Sequence, residues 1–290
     1  MTRKILIVTA DDFGLHSAIN DAVAQAAQAR VLTAASLMVG APAAAEAIQI
    51  ARELSHLRVG LHLVLTDGWP VLAPSEIPDL VGEDGRFADR MVFDSFRYCT
   101  SVRMRRQLRA EIRAQFEAFA RSGLRLDHVN THKHFHVHPG VLSEILRIGK
   151  DYGMAAVRVP DEPLWFARRE NPATVVAAPF LRPWLKMMRQ RLRRHGVDCN
   201  DRVFGMACSG SLDERRMLSI LERLPAGVTE IYLHPAIKTR DPISQSMREY
   251  RHVDELATLL SPRVREAVAE TNAIRCGYAD LWIQRRPHQP

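Results

Sequence analysis

Cysteine is scarce and scattered. The four thiols, Cys99, Cys199, Cys208 and Cys276, form no CxxC pair, which excludes a zinc knuckle and leaves no disulfide framework. Lysine is scarcer than the charge suggests: only Lys4, Lys133, Lys150, Lys186 and Lys238 stand among 40 basic residues, and the rest are arginine. No apolar run approaches the roughly 18 residues of a membrane span. The opening MTRK leads into Ile5–Val8, an apolar stretch too short for a signal sequence, so a cytoplasmic protein is expected. No GxGxxG follows the first apolar run, which counts against a dinucleotide fold. No repeat, low-complexity segment or linker interrupts the chain, and residues 1–290 read as one domain.

What is present fits a soluble globular protein. The chain is 47% hydrophobic and 25% charged over 290 residues, enough to bury a large core and unlike a disordered chain. The net charge of +7 is compatible with nucleic acid, an anionic membrane surface or an acidic substrate, and equally with a genome rich in arginine codons.

Short apolar runs alternate with helical stretches. Strands are predicted at 4–9, 33–39, 58–65, 125–132, 155–160, 202–207, 229–234 and 273–276. Helices are predicted at 17–30 with Ser17 as N-cap, 42–55, 102–122 ending at Gly123, 139–152 opening on Pro139, 211–223, 248–260 and 262–270. Residues 66–100 are loop-rich, and the rhythm breaks over about 161–200. This pattern predicts an α/β protein, an irregular (β/α) TIM-like barrel of seven or eight parallel strands.

In such a fold chemistry collects at the carboxyl ends of the strands. The first strand ends in Asp11-Asp12, two carboxylates that need a partner if buried, and a cation is the natural one. His62 lies in the third strand. In the fourth strand region His132, His134, His136 and His138 alternate; if extended they share one face, and one or two can reach an ion. His234 closes a later strand, and Arg158 stands near the end of another. Asp plus two His is a hydrolytic metal site, chemically best suited to Zn²⁺. Such an ion activates water, a neighbouring carboxylate can be the base and a histidine across the site the acid. From the residues alone the expectation is metal-dependent hydrolysis. A phosphoesterase or amidohydrolase with two ions remains a competing class. A nucleic-acid binder would leave these residues unexplained, so no nucleic-acid partner is expected.

The motifs Thr9-Ala-Asp-Asp-Phe-Gly14, Gly60-Leu-His-Leu63, Asn130-Thr-His-Lys-His-Phe-His136 and Leu233-His-Pro235 resemble those of the YdjC-like carbohydrate deacetylases, across essentially the whole chain. The resemblance implies an irregular (β/α) barrel and removal of acetyl groups from N-acetylated sugars. It implies metal ligands at Asp12, His62 and His132, a base at Asp11 and an acid at His234. It also implies one divalent ion, which leaves Zn²⁺ and Mg²⁺ both open. Arg158, His134 and His136 are expected substrate contacts. Many members carry Asp where this chain has Asn130, which puts the orientation of His132 in question. The wording of 32–44, 132–139 and 156–160 is similar to the hopanoid-biosynthesis-associated (HpnK) branch. That implies N-acetylglucosaminyl bacteriohopanetetrol as substrate, with soluble chitooligosaccharides as the alternative. Within the 161–200 insertion, Val175–Leu192 mixes apolar and basic residues, a composition suited to peripheral association with the inner membrane or to packing on the barrel. A homo-oligomer is left open.

Overall fold

The computed structural model describes residues 3–90, 93, 95, 96, 98, 101–173, 178–240 and 242–281. Cys99 and residues 175–177, the first part of the expected amphipathic stretch, lie outside these. Among the described residues seven parallel strands form the sheet: β1 (Lys4–Phe13), β2 (Ala34–Leu37), β3 (Arg58–Leu63), β4 (Leu126–Thr131), β5 (Arg202–Phe204), β6 (Gly227–Leu233) and β7 (Ile274–Arg275). The order is β4-β3-β2-β1-β6-β5, and β7 pairs with the start of β1. Nine α-helices are described: α1 (Ser17–Gln28), α2 (Ala44–Glu53), α3 (Val102–Arg121), α4 (Pro139–Gly149), α5 (Leu164–Glu170), α6 (Ala178–Arg194), α7 (Glu214–Glu222), α8 (His252–Leu260) and α9 (Pro262–Glu270).

The expected seven- or eight-stranded barrel is replaced by an open, curled sheet. The predicted strand at 155–160 is extended but forms no ladder. It meets β4 and the 198–203 segment through single bridges, Val129 with Val157 and Ala156 with Asp198. Asn200 explains the interruption: its side chain bonds both backbone groups of Val159, the work a neighbouring strand would do.

Strand side chains alternate between the two faces. Leu6, Val8 and Ala10 pack outward into the core beneath the helices, while Ile5 and Ile7 join Ala34, Ala156, Val228 and Tyr278 in a small inner cluster. Toward the carboxyl ends the inner positions become polar: Ile7 gives way to Thr9 and Asp11, Ala34 to Ser36, Gly60 to His62, Ala156 to Arg158 and Val228 to Glu230, while on β4 both inner positions, His128 and Asn130, are polar. The apolar inner layer seals the base, and the chemistry stands above it.

Helix ends follow local chemistry. His16, not Ser17, caps α1, its Nδ1 accepting from Ala18 N. Gly123 ends α3 at φ 73°, as expected for a left-handed C′ position. On α3 the spacing of Gln107, Glu111 and Gln115 puts one side-chain row under the 64–80 loop. Gln115 bonds both backbone groups of Val64, Glu111 accepts from Val71 and Leu72, and Gln107 accepts from Asp79. These bonds order the loop that carries Asp67.

Candidate active site

Two adjacent residues of a regular strand point to opposite faces, yet Asp11 and Asp12 meet the same cluster. The register shifts between Ala10 and Phe13, and Asp12 lies at φ 62°. This bulge, at a position open to Asp because its short polar side chain tolerates the left-handed region, brings both carboxylates to the site.

Asp12 is fully buried. Its Oδ1 lies 3.3 Å from His62 Nε2 and 3.1 Å from His132 Nδ1. One ligand atom from each of Asp12, His62 and His132 lies within 4.8 Å of the others. Asp12 Oδ2 is buried with no hydrogen-bond partner. Each imidazole turns its second nitrogen to an acceptor: His62 Nδ1 lies 2.6 Å from Asn130 Oδ1, and His132 Nε2 lies 3.7 Å from Asp67 Oδ2. That pattern suits metal-binding histidines, and the donor set of two nitrogens and a carboxylate fits a divalent ion of zinc type. Asn130 therefore supports His62 rather than His132, whose partner is Asp67.

Burial opposes ionisation of Asp12, but the facing imidazoles, His132 foremost, hold its carboxyl well below the usual range. Burial depresses His132 too, yet Asp12 and Asp67 outweigh it and raise it to about 9. Asp11 is buried, and Arg158 overcomes the desolvation to keep it ionised. His234 stands opposite, Nε2 3.9 Å from Asp12 Oδ2, and burial pushes its imidazole down to about 4, neutral at pH 7. Glu255 Oε2 accepts from His234 N at 2.5 Å and His252 Nδ1 donates to His234 O at 2.6 Å, fixing that backbone.

Two of the three expected substrate contacts, Arg158 and His136, have other occupations. Arg158 is 0% exposed and spends four N–H donors on Asp11 and Glu230, with its guanidinium 4.6 Å from the Tyr232 ring centre. It offers no face to a substrate. His136 is 0% exposed, bonded between Thr131 Oγ1 and Arg158 O, so it ties the 132–137 turn to the 155–161 segment. The extended histidine row does not form: β4 stops at Thr131, a 3₁₀ turn follows over His132–Val137, and Lys133 and His134 have φ of 54° and 55°. His138 caps α4, accepting from Val141 N. Only His134 of the expected contacts stays at the site edge, its Nε2 3.1 Å from Tyr232 Oη and its buried Nδ1 without a partner.

The sequence reading missed Asp67, Glu230, Ser36, His128 and Glu255. A charged residue at the centre of the strand GVTEIYL was a signal for Glu230. Asp67 carried none, because a loop acid looks like any other. Asp67 sits at φ 49° and links Lys133 Nζ at 3.0 Å with Ser246 Oγ at 2.5 Å, so loops from both halves of the chain meet at the site mouth.

The model of the family described as YdjC-like protein matches residues 5–270. A carbohydrate deacetylase from Geobacillus stearothermophilus is 30% identical over 281 residues, 96% of this chain and 98% of that one. A mouse carbohydrate deacetylase is 29% identical, covering 98% of this chain and 96% of its own. A solved Enterococcus faecalis V583 structure, described as a proposed cellobiose-phosphate cleavage protein, superposes with a TM-score of 0.77 at 24% identity over 97% of this chain and 99% of that one. Fold, site and family match agree: the chain belongs to the YdjC-like protein family.

Proposed function

We propose that the protein is a metal-dependent carbohydrate N-deacetylase. The observation that carries this reading is the convergence of Asp12, His62 and His132 ligand atoms within 4.8 Å, with Asp11 held by Arg158 beside them and His234 Nε2 3.9 Å from Asp12 Oδ2. The names of the Geobacillus and mouse relatives support it. An ion held by these three residues would polarise the acetyl carbonyl and acidify water. Asp11, oriented by Arg158 and Asn130, takes a proton from the attacking water. His234 gives a proton to the departing amine nitrogen. Because His234 rests neutral, the proton Asp11 takes from the water must pass to His234 before it reaches the amine nitrogen; the water's hydroxyl stays on the acyl carbon, so the C–N bond breaks to give acetic acid and the free amine. His134 bounds the sugar on the Tyr232 side.

The substrate we assign is an N-acetylglucosamine-bearing hopanoid, deacetylated to its glucosaminyl form. Segment wording supports this, together with the outer face of α6. Leu185, Met188 and Leu192 bury one side of that helix, and Arg189 and Arg191 are spent on Asp161, Asn200, Asp201 and Ser143. Arg182, Lys186 and the 57%-exposed Met187 remain outward, a combination suited to an anionic bilayer surface. Among the described residues no helix is long and apolar enough to cross a membrane.

Mass spectrometry of products tests the reading. Metal-reconstituted protein is incubated with N-acetylglucosaminyl bacteriohopanetetrol and, separately, with N,N′-diacetylchitobiose. Loss of one acetyl group from the hopanoid alone is expected. Loss from chitobiose alone keeps the chemistry and removes the lipid. Loss from neither, with metal bound, turns the assignment toward a phosphoesterase or amidohydrolase. Among the described residues no second three-ligand cluster favours that class.

A further inference from the structure

Beneath the site Ser36, His128 and Asp127 form a continuous Ser–His–Asp row. Ser36 Oγ lies 3.0 Å from His128 Nε2, and His128 Nδ1 lies 2.9 Å from Asp127 Oδ2. The order is that of a nucleophilic triad. Its burial is not: Ser36 and His128 are 0% exposed and Asp127 is 1% exposed, so the hydroxyl cannot meet a substrate. The row ends instead on Asn130, whose Nδ2 lies 2.9 Å from Ser36 Oγ.

We propose that this row is a positioning device for His62, acting through the amide of Asn130. The inference rests on the reading of His62 as a metal ligand.

With both imidazoles neutral, the direction of every bond follows from elementary donor and acceptor rules. Asp127 is a carboxylate that accepts from Tyr278 N and Ala279 N and can only accept from His128 as well. His128 therefore carries its proton on Nδ1, and its Nε2 accepts from the Ser36 hydroxyl. The Ser36 oxygen then accepts from Asn130 Nδ2, whose second hydrogen goes to Asp11 Oδ1 at 3.2 Å. With the amide nitrogen committed downward, Asn130 Oδ1 faces His62 and can only accept from its Nδ1 at 2.6 Å. That leaves the lone pair on His62 Nε2, the nitrogen facing Asp12. A flipped amide would set N–H against N–H at His62 and favour the wrong tautomer. Position 60 belongs to the same arrangement. A Cβ there would lie 2.4 Å from His128 Cε1, so a residue two before His62 is glycine to seat the ring.

The test is a double-mutant cycle read by metal binding and by nitrogen shifts. Zn²⁺ affinity is measured by competition calorimetry on the full chain for wild type, Ser36→Ala, Asn130→Asp and the double variant. The ¹⁵N shifts of His62 are recorded without metal. Ser36→Ala is expected to weaken Zn²⁺ binding about tenfold, the scale of losing an outer partner of a ligand, and to move His62 toward a mixture of tautomers. In the Asn130→Asp background a carboxylate accepts from His62 whichever way it turns, so removing Ser36 is expected to cost nothing more. His128→Asn, which also removes the acceptor for Ser36, repeats the measurement if Ser36→Ala folds poorly. Unchanged affinity and unchanged His62 shifts in both variants overturn the proposal, as does an equal loss in the Asn130→Asp background. If wild type binds no divalent ion, the metal reading itself fails, and a shifted His62 tautomer in Ser36→Ala still separates that failure from failure of the row.

Discussion

Arg158 and Asp11 meet at two points, Nη1 to Oδ2 at 2.5 Å and Nη2 to Oδ1 at 3.0 Å, while the same guanidinium reaches both oxygens of Glu230. One cation thus stands between two buried anions. Removing it leaves both unpaired, which costs about 3–5 kcal/mol for a buried pair. Arg158→Met is expected to show a loss of at least that size in urea unfolding. Arg158→Lys keeps the charge but not the planar fork, so it should fold better than the Met variant and still be impaired in turnover.

Asp11→Asn separates binding from chemistry. Asp11 does not belong to the Asp12, His62 and His132 cluster. The variant is therefore expected to retain divalent metal, measured by elemental analysis after gel filtration, while kcat falls by roughly two orders of magnitude or more, the range for a lost general base. His132→Ala is expected to lose the metal as well.

Asp67 Oδ2 faces His132 Nε2 at 3.7 Å and is the meeting point of two loops. Asp67→Ala is expected to weaken metal binding about 10–100-fold with only a small change in Tm. Ser246→Ala, which removes one partner of Asp67, should show a smaller effect in the same titration.

Gly60→Ala tests the seat of the His128 ring. With a Cβ at 2.4 Å from that ring, either the ring or the strand must shift. A loss of about 1–3 kcal/mol is expected from such overpacking, measured by denaturant unfolding.

Glu255 accepts from Leu212 N and His234 N, yet burial dominates and raises its carboxyl from 4.5 to about 8. Between those values the unfolded chain has released a proton that the native state keeps. Its contribution to stability therefore falls as pH rises, by at most about 1.4 kcal/mol per pH unit for one proton. Relative to Glu255→Gln, wild type should lose stability from pH 5 to pH 8 and change little above that. Parallel unfolding curves across this range would remove the assignment.

Much of the site was legible because its residues stand on strands, where position along the chain fixes position in space. Asp11 and Asp12 after an apolar run, His62 inside one and His234 closing one all reach the same cluster. The histidine row misled because alternation implies one face only in extended backbone, and two successive left-handed residues, Lys133 and His134, bend the chain there. Arg158 looked available because its two carboxylates, Asp11 and Glu230, lie 147 and 72 residues away. The expected barrel failed at 155–160 for a related reason: the residue that replaces strand pairing, Asn200, lies outside that segment.

The middle strand has a dynamic consequence. β1 pairs with β6 from Lys4 to Ala10, with β7 at its start and with β2 toward its end, so its amides are bonded on both edges. Asp67 hangs on a loop held by side chains. Amide exchange should then be slowest around residues 6–10 and measurably faster near 67. The Asp11–Asp12 half of the site would open only with the whole molecule, whereas the Asp67 half can open on its own.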